Sequence, residues 1–189
     1  DELGIGASHD GIMELPADAV AGTTARDYLR IEDDYLIEVG LTPNRVDAAS
    51  HIGVARDLAA YLRSRGEDVS VKMPDVSAFA PDNHDLGVKI RVENHEAAPR
   101  YAGVTVKNCK IAPSPEWMQN CLRAAGINPK NNLVDITNFV LFELGQPLHA
   151  FDAAKIEGRE VVVRTCAEGT PFVTLDGVER KLTADDLMI

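Results

Sequence analysis

The sequence predicts an α+β fold: a mixed or antiparallel sheet with packed helices, preceded by a smaller helix-containing segment. Three observations predict it. Apolar residues recur at spacings of three and four in one long early stretch and in two later ones, which is the period of a helix buried on one face. Short runs alternate apolar with polar residues between and after those helices, which is the period of a half-buried strand. The chain has 189 residues and is 45% hydrophobic, enough to bury a core and too apolar for a disordered polymer.

Taken in order, the Gly-rich, acidic opening (Gly4, Gly6, Gly11) leads to a strand-like run from Ile12 to Leu15, closed by Pro16. The opening lacks a start methionine and is read as a cut edge. Tyr35 to Val39 is a second strand-like run, followed by Thr42, Pro43, Asn44 and Arg45. From about Ala48 to Arg63, Ile52, Ala55, Leu58, Ala59 and Leu62 form one apolar stripe, with Arg56, Asp57 and Arg63 off it. Asp47 or Ser50 is the capping oxygen and Gly66 ends the helix. Residues 67–85, with Pro74, Pro81 and several Asp, hold no period and form the linker candidate.

Beyond the linker, Val88, Ile90 and Val92 alternate with Lys89, Arg91 and Glu93, and Val104 and Val106 with Thr105 and Lys107. Ser114, Pro115 and Glu116 spell a helix start: a hydroxyl cap, a proline at the first position and an acid near the positive end of the dipole. Trp117, Met118, Cys121, Leu122 and Ala125 make its buried face and Gly126 stops it. A further helix spans Val134 to Leu144, with Gly145 at its exit and Pro147 preventing continuation. The tail returns to strands at Val161 to Arg164, Phe172 to Leu175 and Val178 to Leu182, the last two joined by a two-residue turn at Asp176 and Gly177. Leu187, Met188 and Ile189 resemble the start of one more strand.

Composition narrows the function. No apolar run reaches the roughly 20 residues that cross a bilayer, and the opening lacks the basic start of a secretory signal, so the expectation is a cytoplasmic protein without a membrane partner. Cys109, Cys121 and Cys166 are widely spaced, so neither a disulfide framework nor a zinc site is expected. A net charge of −11 argues against a free-standing nucleic-acid binder. The distribution qualifies that: residues 86–131 carry seven bases against three acids, whereas 1–85 carry seven against 17 and 132–189 five against ten. The middle is a basic island of Lys89, Arg91, Arg100, Lys107, Lys110, Arg123 and Lys130, either an ordinary solvated surface or a face for a polyanion.

Two stretches carry more than patterning: LTPNRVDAASHIGVARDLAA (Leu41 to Ala60) and NNLVDITNFVLFELGQPLHAFD (Asn131 to Asp152). Both resemble signature segments of the phenylalanyl-tRNA synthetase β subunit, in that family's order and at about its separation. Between them, Pro99, Arg100 and Tyr101, the SPEW helix start and its LRAAGI ending resemble the family too, as do the later EGT turn and TLDG hairpin. The opening DELGIGASHDGIMELP resembles the end of the oligonucleotide-binding-type module inserted in that subunit. The resemblance implies that residues 1–35 finish the inserted tRNA-binding module, 36–74 belong to the small domain it interrupts, 75–85 are the linker, and 86–189 begin the editing domain. It further implies tRNA(Phe) and the α subunit of an α2β2 enzyme as partners. ATP and magnesium act in the complete enzyme; no cofactor or metal site is expected in this stretch, and the sequence contains no P-loop or metal motif.

An editing site has a physical reason. Phenylalanine and tyrosine differ by one hydroxyl, and a hydrophobic pocket rejects the added hydroxyl only on the order of a hundredfold. A second site that hydrogen-bonds the phenol and hydrolyses the wrong ester supplies the rest. On the resemblance, His149, Thr137 and Asn132 match editing-pocket positions, with His149 and Thr137 as the catalytic candidates. His149 follows the helix exit, where an imidazole can orient water or bind the terminal ribose. The plainer alternatives stay open: His149 as a helix-exit residue bonded to backbone, Thr137 bonded back to a carbonyl, Asp135 as a helix cap, Asp152 as a turn former, and Asn44 and Arg45 as a brace before the first long helix. The rest of the family's pocket lies after Ile189, which implies that this stretch alone is inactive. The alternative function is a module that positions tRNA or assembles subunits without chemistry.

Overall fold

A computed structural model describes residues 11–12, 14–29, 34–174 and 176–189, in two compact units, Asp1–Val39 and Gly40–Ile189. In the first unit, α1 (Ala25–Tyr28) starts at Thr24, whose hydroxyl accepts from the Asp27 N–H at 3.1 Å and donates to the Asp27 carboxylate at 2.7 Å. The described part of the expected Ile12–Leu15 strand is not a strand; Met13 and the opening ten residues lie outside the described residues. Tyr35–Val39 is likewise no strand, and Tyr35 is 91% exposed. Alternation supplies a face, but a strand also requires a neighbouring backbone to complete its ladder, and none pairs with these runs among the described residues.

The second unit opens with a 3-10 turn at Val46–Ala48 and then α2 (His51–Ser64). Ser50, not Asp47, caps α2, its hydroxyl accepting from the Gly53 N–H at 3.0 Å. Asp47 instead pairs with Arg45 at 3.0 Å, and the same guanidinium reaches Asp57 at 2.7 Å, so Arg45 ties the turn to the helix. That pairing holds the Asp47 carboxyl below the usual carboxylate range. Gly66, at φ 87°, closes α2: the Gly66 N–H donates to Arg63 and the Glu67 N–H to Leu62, the two bonds that satisfy the orphan carbonyls of a helix end. Of the expected stripe, Ala59 is buried and Ile52, Ala55 and Leu62 half-buried, while Leu58 is 56% exposed.

The sheet has three strands in the order β1 (Lys89–Val92), β2 (Glu160–Thr165) and, at the end of the chain, Leu187–Met188. β1 runs parallel to β2, with Ile90 opposite Val161 and Val92 opposite Val163. Leu187–Met188 runs antiparallel to the far end of β2, so the sheet is mixed. Val163, in the central strand, is 1% exposed and marks the core with Leu122, also 1% exposed. A separate hairpin pairs β3 (Pro171–Val173) with β4 (Glu179–Lys181); the Leu187–Met188 strand is β5. The Thr174 N–H still donates to the Val178 carbonyl, and Gly177 lies in the left-handed region at φ 78°; Leu175, the expected end of the first strand, lies outside the described residues. The expected strand at 104–107 is not formed: Val104 and Val106 are 69% and 70% exposed. Gly103 lies close against β1, where a Cβ would stand 3.1 Å from Ile90.

Helices α3 (Glu116–Ala124) and α4 (Asn132–Leu144) fill the crossover from β1 to β2. Trp117 and Phe139 join them edge to face, with centroids 5.4 Å apart. Met118 and Leu122 are the buried residues of α3. Its Ser114 hydroxyl does not cap it; Ser114 is buried and donates to Asp135. α2 packs on α4: the His51 Nδ1–H donates to the Phe142 carbonyl at 3.0 Å, and a Cβ on Gly145 would stand 3.4 Å from the Ser50 Cβ. Residues 40–64 thus belong to the same compact unit as the sheet. No helix among the described residues is long and apolar enough to cross a membrane, and all three cysteines are free thiols.

Candidate functional site

The site is organised by α4, and its N-terminal end is fixed by four side chains. Asn131 caps it, accepting from the Leu133 and Val134 N–H groups at 3.1 Å each, so α4 begins two residues before the expected Val134. Asn132 clips the preceding segment to the helix: its side-chain N–H donates to the Lys110 carbonyl at 2.9 Å and its backbone N–H to Ala112 at 2.9 Å. Asp135, fully buried, accepts from the Ser114 hydroxyl at 2.5 Å and from the Lys130 N–H at 2.8 Å. Asp135 therefore does not cap its own helix. It joins the starts of α3 and α4, a role that the first-turn position of an acid does not reveal and that explains why Ser114 is not available to α3.

Further along α4, Thr137 is half-buried and its hydroxyl donates to the Val134 carbonyl at 2.7 Å. Its proton is committed within the helix, so toward a ligand the oxygen is an acceptor. At the other end Gly145 takes the left-handed conformation, φ 77°, and its N–H donates to Leu141. The chain then turns away through Pro147 to Leu148, His149 and Phe151. All three of these are exposed, Leu148 by 43% and Phe151 by 65%. The His149 ring stands 6.3 Å from that of Phe151, tilted by 42°. No side-chain hydrogen bond to His149 occurs among the described residues. Asp152 then caps a short 3-10 turn, accepting from the Ala154 N–H at 3.0 Å, so it is a turn former.

Both Thr137 and His149 are carried by α4 and its exit, but no hydrogen bond or ring contact joins them among the described residues. Asn132 lies at the opposite end of α4 from His149, with its amide engaged by backbone groups. Asn132 was expected in a pocket on the resemblance alone; the structure uses Asn131 as the cap of α4 and Asn132 as a clip to the preceding segment.

The basic island divides into two kinds of cation. Lys89 and Arg91 face Glu160 at 3.3 and 3.2 Å across the β1–β2 pair, and Arg91 also meets Glu93. Arg91 and Lys89 hold the Glu160 carboxyl below the usual range. Arg123 donates to the Gln119 and Asn120 side chains. Arg100, Lys107, Lys110 and Lys130 are exposed and form no ion pair among the described residues.

Comparison with known proteins is consistent along the chain. Residues 97–189 match the B3/4 domain. The phenylalanine–tRNA ligase beta subunit of Bacteroides fragilis is 61% identical over all 189 residues, and those of Bacillus subtilis and Photorhabdus laumondii are 50% identical over 182 residues and 46% over 189. The match takes in 100%, 95% and 100% of this chain respectively, but only 22–23% of each relative. With α2 and α4 packed together and the two signature segments on those helices, the chain belongs to the phenylalanine–tRNA ligase β-subunit family, of whose members it spans about a quarter.

Proposed function

We propose that this chain contributes to post-transfer editing, the hydrolysis of tyrosyl-tRNA(Phe), in phenylalanine–tRNA ligase. The observation that carries this reading is the exit of α4, where an imidazole without a hydrogen bond among the described residues lies beside the exposed Phe151 and next in the chain to the exposed Leu148. That combination suits an aromatic ester: Leu148 and Phe151 offer apolar surface to a ring, and His149 is placed to hold a water or the terminal ribose hydroxyl. Thr137 offers an acceptor for an N–H or O–H of the aminoacyl group. Attack on the ester carbonyl builds negative charge on its oxygen, which backbone N–H groups stabilise. Asn132 acts at this site through the seating of α4. The complete enzyme, with the α subunit, ATP and magnesium, performs activation and transfer in the cytoplasm; this stretch supplies none of that chemistry and is inactive when isolated.

The test is His149→Ala in the complete α/β enzyme. Deacylation of tyrosyl-tRNA(Phe) falls on the order of a hundredfold, with phenylalanine charging unchanged. Unchanged deacylation defeats the reading. A loss of tRNA affinity without a change in the hydrolytic step favours the second reading, a module that positions tRNA or assembles subunits. The free cations of the basic island favour that second reading as a companion role.

A further inference from the structure

We infer that Lys107, Lys110 and Lys130 form a strip that binds the sugar–phosphate backbone of RNA at the N-terminal end of α4. The inference rests on the reading of this chain as part of a tRNA-handling subunit. Lys89 and Arg91 are paired with Glu160 and Glu93, and the Arg123 guanidinium is held along α3 by Gln119 and Asn120. The three lysines differ in both respects. They are exposed without an ion pair among the described residues, and hydrogen bonds tie the backbones of two of them, Lys110 and Lys130, to the start of α4. Asn132 is the gathering device, because its side chain holds the Lys110 carbonyl while its backbone N–H holds Ala112. Lys130 precedes it by two positions and is pinned through its own N–H to Asp135. Lys107 enters the same segment through a sharp turn at Asn108, which takes the left-handed conformation at φ 58°.

Charge decides the kind of partner. Residues 97–131 carry five bases and one acid, Glu116, within a chain of net charge −11. The one carboxylate built into the strip's foundation, Asp135, is fully buried and satisfied by Ser114 and Lys130. Cations concentrated on one segment of an otherwise acidic surface attract a polyanion locally while the rest of the molecule repels it, which fixes where the polyanion lies.

The experiment measures binding of tRNA(Phe) to the complete α/β enzyme across a salt series, for the wild type, Lys107→Ala/Lys110→Ala/Lys130→Ala, the corresponding triple Arg variant, and Lys89→Ala. Each phosphate contact contributes about 0.7–0.9 to the slope of log affinity against log salt, so the triple Ala variant lowers the slope by about 2. The triple Arg variant keeps it, and Lys89→Ala, whose ammonium is already paired, leaves it unchanged. An unaltered slope in the triple Ala variant overturns the inference. So does an equal loss in the triple Arg variant or in Lys89→Ala. Weakened association of the α and β subunits with an intact slope also overturns it, assigning the strip to a protein partner instead. Because the readout is binding and not hydrolysis, its failure is separable from failure of the editing reading, which His149→Ala tests alone.

Discussion

Asp135 shows how a single side chain sets the geometry of the region. It is fully buried and held by two donors: the Ser114 hydroxyl on one oxygen and the Lys130 N–H on the other. Asp135→Ala takes the partner from the buried Ser114 hydroxyl and from the part-buried Lys130 N–H, and a buried unsatisfied group costs roughly 1–3 kcal/mol. Asp135→Asn is far milder, because its amide oxygen still accepts from Lys130 and the serine hydroxyl reverses to accept from the amide N–H. We expect a loss of about 2 kcal/mol or more for Ala and under about 1 kcal/mol for Asn in denaturant unfolding. Equal losses for the two would mean that charge, not hydrogen bonding, is what the site needs. At this scale the sequence was partly legible. Ser50 and Gly66 declared themselves as helix ends because a cap is a local interaction. Ser114 did not, because the acceptor that takes its proton lies 21 residues away, and a short-range rule has no access to a contact made by the fold. Asn132 was hidden for the same reason.

At the scale of elements, α2 depends on a close approach that only one residue type permits. A Cβ on Gly53 would stand 2.4 Å from the Asp47 carbonyl oxygen and 2.6 Å from the Ala48 Cα, both backbone atoms of the 3-10 turn before the helix. Alanine is worth about 1 kcal/mol more than glycine in an unconstrained helix. Here the turn must move to admit it, and forced insertions of a methyl group cost typically 1–3 kcal/mol. Gly53→Ala is therefore expected to lower the melting temperature, whereas the propensity term alone would raise it; a thermal scan distinguishes the two signs. The helices were the readable elements, since a period of three to four and a cap fix each within its own residues. The strands were less so. Runs at 12–15, 35–39 and 104–107 carry the alternation of a strand, yet the ladder that makes one depends on a neighbour that alternation does not specify. β1 and β2 succeeded because each supplies the other's.

For the whole molecule, the described part of unit Gly40–Ile189 exposes Trp117, Leu148, Phe151 and Phe172 by 40–65%. These side chains leave apolar surface open to the remaining three quarters or so of the relatives' length, this chain being aligned with only 22–23% of each. The corresponding prediction is that the 189-residue polypeptide by itself hydrolyses tyrosyl-tRNA(Phe) no faster than buffer, while the complete enzyme does so readily. Release of tyrosine from labelled ester measures it, and efficient turnover by the isolated chain would place all the chemistry within these residues. The family was legible from motif resemblance, but the support of α4 was not: the clip at Asn132 and the buried Asp135 emerge only when 110–135 is folded.

One feature of the sheet reaches beyond the finished structure. β1 finds its parallel partner only in β2, after a crossover running from Val92 to Glu160. On a ribosome adding about 5–20 residues per second, Ile90 and Val92 emerge several seconds before the strand that covers them. During that interval the nascent chain presents an open edge, and α3 and α4, synthesised between the two strands, are the structures able to form while that edge waits for its partner.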